Sequence, residues 1–210
     1  MKLTFLLLIF VSNFIYAQNL TIGTAGMPLR ELKARSEQQL SYFNDEFMPS
    51  AVVTLDGKHL TLEAIRYDLL KQHVEYLDKN VVYEVQDSIS SFTIKDSIGK
   101  SHLLEKLQMN GRPYFFEVIA SGRTSLLKRH TAKISETEDW YTKKKLQSVI
   151  KRSEYYTLKG GKFERFSPSK KNILALLNED PERLKTFLNN KPLDFKSDYS
   201  LKAIFDFYNL

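Results

Sequence analysis

The sequence contains no cysteine. That excludes disulfides, a thiolate nucleophile and any cysteine-bound metal. It also excludes a lipid attached to an N-terminal cysteine, and with it a bacterial lipoprotein. Long apolar runs are missing too. The only candidate, Leu3 to Val11 with Thr4 inside it, is too short for a transmembrane helix, which needs about 20 apolar residues. There is no G-x-S-x-G elbow, no phosphate-cradling glycine loop and no H-E-x-x-H helix. The four histidines, His59, His73, His102 and His130, stand too far apart in sequence to form a local metal-ligand pair. His59 and Glu63 are four residues apart, beyond the reach of one ion along a strand, whereas His73 and Glu75 would share a strand face. A lone histidine in a strand is ordinarily structural or solvent-facing. No metal site, cofactor or catalytic residue is therefore expected.

The apolar run does fit another role. Lys2 supplies a positive start, Leu3 to Val11 an apolar core, and Ala17 a small residue before Gln18. This is the grammar of a cleavable secretory signal over residues 1–17. The mature chain is then expected to be exported: periplasmic, associated with the outer membrane, or secreted. It would be soluble or peripherally bound, with no transmembrane segment.

Residues 18–49 show no strong period and read as an extended lead-in, with a short helix expected over Leu29 to Gln39. From residue 50 onwards a single β-rich domain is expected, with a helical part over 168–210. Alternating apolar and polar residues predict strands near Val52, His59 to Leu70, Val74 to Leu77, Val81 to Val85, Ser91 to Lys95, Tyr114 to Ala120 and Thr124 to Ile134. Asp56-Gly57, Asn110-Gly111 and Ser121-Gly122 are turn dipeptides. Ser135 to Asp139 reads as an acidic, solvated break. Lys145 to Leu158 and Lys162 to Phe166 then form a hairpin about Gly160-Gly161. Turn signals at roughly ten-residue spacing argue for an antiparallel meander, as an open sheet, sandwich or partial barrel. The period then becomes helical. Ile173, Leu174 and Leu177 follow Ser167-Pro168-Ser169; Leu184, Phe187 and Leu188 follow Pro181; Leu201, Ile204, Phe205 and Tyr208 follow Ser197 and Asp198. The fold class is therefore α+β, a meander closed by about three short C-terminal helices. The apolar stripes of those helices are expected to be core.

Charge is unevenly placed. The segment from Lys143 to Lys171 carries ten cations against Glu154 and Glu164, a net of +8, whereas the whole chain is +6. The rest of the chain therefore sums to −2. Aromatics lie among or beside the cations: Tyr141, Tyr155, Tyr156, Phe163 and Phe166. Such patches attract polyanions in a salt-sensitive way. For an exported chain nucleic acid is not the expected partner. The candidates are an envelope protein or an anionic envelope surface, either lipid headgroup or glycan. The candidate anion- or partner-binding residues are Lys143, Lys144, Lys145, Lys151, Arg152, Lys159, Lys162 and Arg165.

Two stretches carry a resemblance. One is Tyr42-Phe43-Asn44-Asp45-Glu46-Phe47, continued by Asp56-Gly57-Lys58 and Arg66-Tyr67-Asp68. The other is Tyr155-Tyr156, Gly160-Gly161 and Phe163, followed by the Lys-rich and Leu-rich tail ending at Tyr208-Asn209. Together they resemble a family of small exported proteins of Gram-negative bacteria whose function is uncharacterised. The resemblance implies a β-rich body closed by short helices and assigns no catalytic residues. The expected function is a non-enzymatic binding or accessory module of the cell envelope. One alternative is an enzyme whose site the fold assembles from scattered residues such as Asp45, Arg66, Tyr67 and His73. The other is a self-associating structural component.

Overall fold

Positive-φ dipeptides set the chain reversals. Lys79-Asn80, Asn110-Gly111 and Gly160-Gly161 all hold both central residues at positive φ, the conformation whose twist matches a two-residue hairpin. The computed structural model describes residues 26–31, 41–85 and 89–210. The expected signal segment lies outside the described residues, as does the greater part of the helix expected over Leu29 to Gln39.

The strands are β1 (Gly26–Glu31), β2 (Met48–Thr54), β3 (His59–Asp68), β4 (His73–Asp78), β5 (Val81–Val85), β6 (Ile89–Lys95), β7 (Ser101–Met109), β8 (Arg112–Ala120), β9 (Thr124–Glu138), β10 (Lys145–Lys159) and β11 (Lys162–Phe166). Three helices follow, α1 (Lys170–Leu176), α2 (Pro181–Asn189) and α3 (Asp198–Asn209). The fold is thus α+β, an antiparallel open sheet followed by three C-terminal helices. The 11 strands are ordered β1-β5-β4-β3-β2-β6-β7-β8-β9-β10-β11. Two meanders share one sheet: β2 to β5 runs one way, then β6 returns to pair with β2 and β6 to β11 runs the other way.

Three sequence expectations are corrected. Leu29 to Glu31 belong to the edge strand β1, paired with β5, not to a helix; an edge is where Pro28 can sit in a strand. The segment Ser135 to Glu138 is not a break, because β9 continues through it. Lys145 lies opposite Glu138, and the Gln147 side-chain amide donates to Glu136 at 2.7 Å, so the acidic residues have cross-strand partners. Strand β7, between Lys95 and Asn110, was not expected from the alternation.

The sheet is curled. Bulges interrupt the β2–β3, β2–β6 and β8–β9 ladders, and such irregularities bend strands. The curl brings the β3–β4 turn onto β9, where the Ala132 N–H donates to the Leu69 carbonyl at 3.0 Å and the Gln72 amide donates to the His130 carbonyl at 3.0 Å. Inside it Val52, Ile65, Tyr67, Phe92, Ile94, Leu104 and Phe115 are buried. The rings of Tyr67, Phe92 and Phe115 meet edge to face at 5.0 to 5.7 Å. A second core lies under the helices: Ile173, Leu177, Leu184, Leu188, Leu201, Ile204 and Phe205 pack on Ile119, Ala120 and Leu126. Fully burying each large apolar side chain contributes about 1.5–3 kcal/mol, and this docking holds helices too short to persist alone. Ser169 caps α1 through the Asn172 N–H at 3.2 Å, and Asp180 caps α2 through the Arg183 N–H at 3.1 Å. At the end of α3, Asn209 acts as a strand surrogate. Its Oδ1 accepts from the Thr124 N–H and its Nδ2 donates to the Thr124 carbonyl, both at 3.0 Å.

Among the described residues, no helix is long and apolar enough to cross a membrane.

Candidate functional site

The β9–β10 hairpin is longer than the sheet that supports it. Its 15 cross-strand pairs run from Lys159↔Thr124 to Lys145↔Glu138. Only Leu126 to Lys128 of β9 pair with β8, and only Tyr155 to Lys159 of β10 pair with β11. Beyond Ala132 and Lys151 the hairpin continues as a two-stranded arm. At its tip the Asp139 carboxylate accepts from the Tyr141 N–H at 3.0 Å, the Thr142 N–H at 2.6 Å and the Thr142 hydroxyl at 2.9 Å. The backbone and side-chain bonds from Thr142 hold this carboxyl below its usual range. Lys143 takes positive φ, and the Asp139 N–H donates to the Lys144 carbonyl at 2.9 Å. This closed turn leaves Trp140 82% and Tyr141 80% exposed, their rings edge to face at 5.7 Å. Lys143, Lys144 and Lys145 are exposed beside them. On the arm itself Ile134 and Ile150 are also exposed.

The eight expected cations do not form one patch. Lys143, Lys144 and Lys145 gather at the tip. Lys151 and Arg152 are neighbours on β10 and so point to opposite faces, with the Lys151 ammonium 3.8 Å from Asp45. Lys159 and Lys162 face each other at the other end, where Lys159 pairs with Glu179; Arg165 pairs with Glu154 at 2.8 Å. Fourteen strand steps separate Lys145 from Lys159, roughly 45 Å at strand rise.

A second feature crosses the base of the arm, on residues the sequence offered no local reason to group. The Ser153 hydroxyl lies 2.9 Å from His130 Nδ1, and His130 Nε2 lies 2.6 Å from Glu117 Oε2. Glu117 Oε1 lies 2.5 Å from His102 Nδ1, and His102 Nε2 lies 3.1 Å from Asp96 Oδ2. Register explains the row. Ser153 is opposite His130, Lys128 opposite Glu117 and Leu104 opposite Glu117, so His130 and His102 each stand one diagonal step from the carboxylate. Phe43 wedges between the imidazoles, its ring 5.2 Å from His102 and 5.0 Å from His130, both edge to face. The Phe43 N–H donates to the Tyr67 carbonyl at 2.9 Å, which fixes the wedge.

The partners determine the proton positions. Both His102 nitrogens face carboxylates, so both donate and the ring is an imidazolium. Its pKa is raised, chiefly by the hydrogen bond to Glu117, with Asp96 adding to it against the cost of burial. Burial opposes ionisation of Glu117, but the hydrogen bonds from His102 and His130 outweigh it and hold the carboxyl far below the usual range. Glu117 accepts from His130 Nε2, and in that tautomer Nδ1 is left to accept from the Ser153 hydroxyl. Exposure falls along the row: Ser153 is exposed, His130 half-buried and Glu117 buried.

A third cluster includes residues of the expected enzyme alternative. Buried Arg66 meets Glu75 at 3.0 Å and lies between the rings of Tyr42, 3.4 Å, and Phe47, 4.3 Å. Tyr42 and His73 also reach Glu75, at 3.3 and 3.2 Å. Asp68, His73 and Glu75 place one ligand atom each within 4.8 Å of one another, a spacing that suits a cation. Two backbone N–H groups bind Asp68 Oδ1, and Arg66 pairs with Glu75 Oε2. Tyr67 does not join this group. It is adjacent to Arg66 on a strand and points into the curl, where burial raises its pKa. Asp45 touches Arg66 only through its backbone carbonyl.

No protein-family model, curated protein or solved structure matches the chain.

Proposed function

We propose that the protein is an exported binding or accessory module of the cell envelope that docks on an anionic phospholipid surface through the tip of the β9–β10 arm. The observation that carries this reading is the exposure of Trp140 and Tyr141 on a closed turn beside Lys143, Lys144 and Lys145. Tryptophan and tyrosine favour the headgroup layer, where an apolar ring and a polar handle are both accommodated. Clustered cations add roughly 1 kcal/mol each near an anionic leaflet. The arm carries this group well away from the sheet, so contact with a surface is not obstructed by the helices. The signal-like segment at residues 1–17 and the resemblance to small exported proteins support an envelope location.

Co-sedimentation with vesicles of phosphatidylethanolamine and phosphatidylglycerol tests the proposal. Replacing Lys143, Lys144 and Lys145 together by Gln should weaken binding about a hundredfold at low salt, from three such contributions. Raising the salt should weaken the wild type likewise. Replacing Lys159, Lys162 and Arg165 should leave binding unchanged. Equal binding by the tip variant and the wild type would remove the tip from the account.

A further inference from the structure

The row across the base of the arm carries an inference independent of surface docking. We infer that Ser153 is a nucleophile activated by His130, and that the β9–β10 face is an acyl-transfer site acting on an ester carried by an extended, negatively charged molecule. The arrangement meets the geometric requirement for an activated serine: nucleophile to base at 2.9 Å, and base to orienting carboxylate at 2.6 Å. The serine is exposed, its base half-buried and the carboxylate buried, so the reacting atom is presented to solvent while the group that fixes the imidazole is shielded from it. His102, an imidazolium between Glu117 and Asp96, holds the other Glu117 oxygen and fixes the carboxylate's orientation. Ser153 and His130 are the catalytic residues; Glu117 and His102 are positioning residues.

The step balances without any group beyond ester and water. The Ser153 hydroxyl oxygen attacks the ester carbonyl carbon as its proton passes to His130 Nδ1. The carbonyl oxygen takes the electron pair as an oxyanion. The carbon–oxygen bond to the alcohol then breaks, and the alcohol departs with the proton held on His130. Water, deprotonated by the same nitrogen, repeats the attack on the acyl-serine and releases the carboxylic acid. Lys151, exposed two residues along on the same face, turns from its solvent-exposed pair with Asp45, 3.8 Å away, to supply a cation for the oxyanion. The outer edge of β10 before Tyr155 has no strand beside it among the described residues, which leaves main-chain N–H groups near Ser153 available as well. The substrate class follows from the surroundings. Ser153 is exposed on the β9–β10 face, so the ester lies on an open surface, and Lys151 favours a negatively charged carrier.

The full mature chain, treated with a fluorophosphonate probe and then digested, tests this by mass spectrometry, with hydrolysis of p-nitrophenyl butyrate as a second readout. Labelling is expected at Ser153. S153A should abolish both signals, and H130Q should reduce both by on the order of a hundredfold or more. K151Q should slow hydrolysis with less effect on labelling. S148A, on the same strand but without a histidine opposite, should change neither. Circular dichroism of each variant separates loss of activity from loss of fold; S153A alters an exposed hydroxyl and is expected to fold. A folded wild type that is not labelled, or that is labelled equally at Ser148, would overturn the inference.

Discussion

Replacing Glu117 by Gln tests the electrostatic reading of the row most severely. Glu117 is 3% exposed and receives one hydrogen bond from the His102 imidazolium and one from His130. Gln offers a single carbonyl acceptor, and its amide nitrogen turns an N–H against the other imidazole N–H. His102 is then left buried with only Asp96, at 3.1 Å, to balance its charge. Breaking a buried, hydrogen-bonded ion pair from one side costs about 3–5 kcal/mol. His102 can relieve part of this by releasing its proton, so the lower end, about 3 kcal/mol, is expected. Urea unfolding at neutral pH should show a lower midpoint with an unchanged slope. The pH dependence adds a second signature. The folded pKa of Glu117 is depressed, so its contribution is present above the unfolded value, 4.5, and is lost as pH falls through the folded value. His102 has a raised pKa, so its contribution is complete below 6.5 and is lost as pH rises through the folded value. Wild-type stability should therefore decline on acidification below about 4.5, and E117Q should show a shallower decline. A destabilisation below 1 kcal/mol, or an identical acid limb in both proteins, would refute the reasoning.

Two packing predictions follow. A Cβ on Gly122 would lie 2.4 Å from the Asn209 side chain, so G122A should dislodge the Asn209–Thr124 clamp and cost about 1–3 kcal/mol, read as a lower Tm. Phe205 is fully buried where α3 meets the sheet, and F205A should cost about 3–5 kcal/mol by denaturant titration, a larger loss than any substitution on the arm.

Much of the fold was legible because local chemistry decides it. Asn110-Gly111 and Gly160-Gly161 mark hairpins by their φ requirements, and the stripe Leu201, Ile204, Phe205 and Tyr208 marks α3 by its period. Strand β7 was not legible, since one of its two buried positions is His102 and its apolar alternation is therefore broken. The return of β6 to β2 was equally hidden, because pairing between distant strands leaves no trace within either. The row through Ser153, His130, Glu117 and His102 depends on the registers of three ladders at once, and no spacing along the chain encodes that. The basic segment misled for the opposite reason: cations close in sequence are divided by a long hairpin into a tip group and a far-end group. What a linear charge count could not convey is which of them share the tip with Trp140.

Emission from Trp140 offers the most direct test of surface docking, because it is the only tryptophan in the chain and stands at the proposed point of contact. Titrating the protein with vesicles containing phosphatidylglycerol should shift its emission to the blue and protect it from an aqueous quencher, with the effect lost at high salt. Unchanged emission and quenching, with the protein recovered on the same vesicles, would place the contact elsewhere and contradict the account.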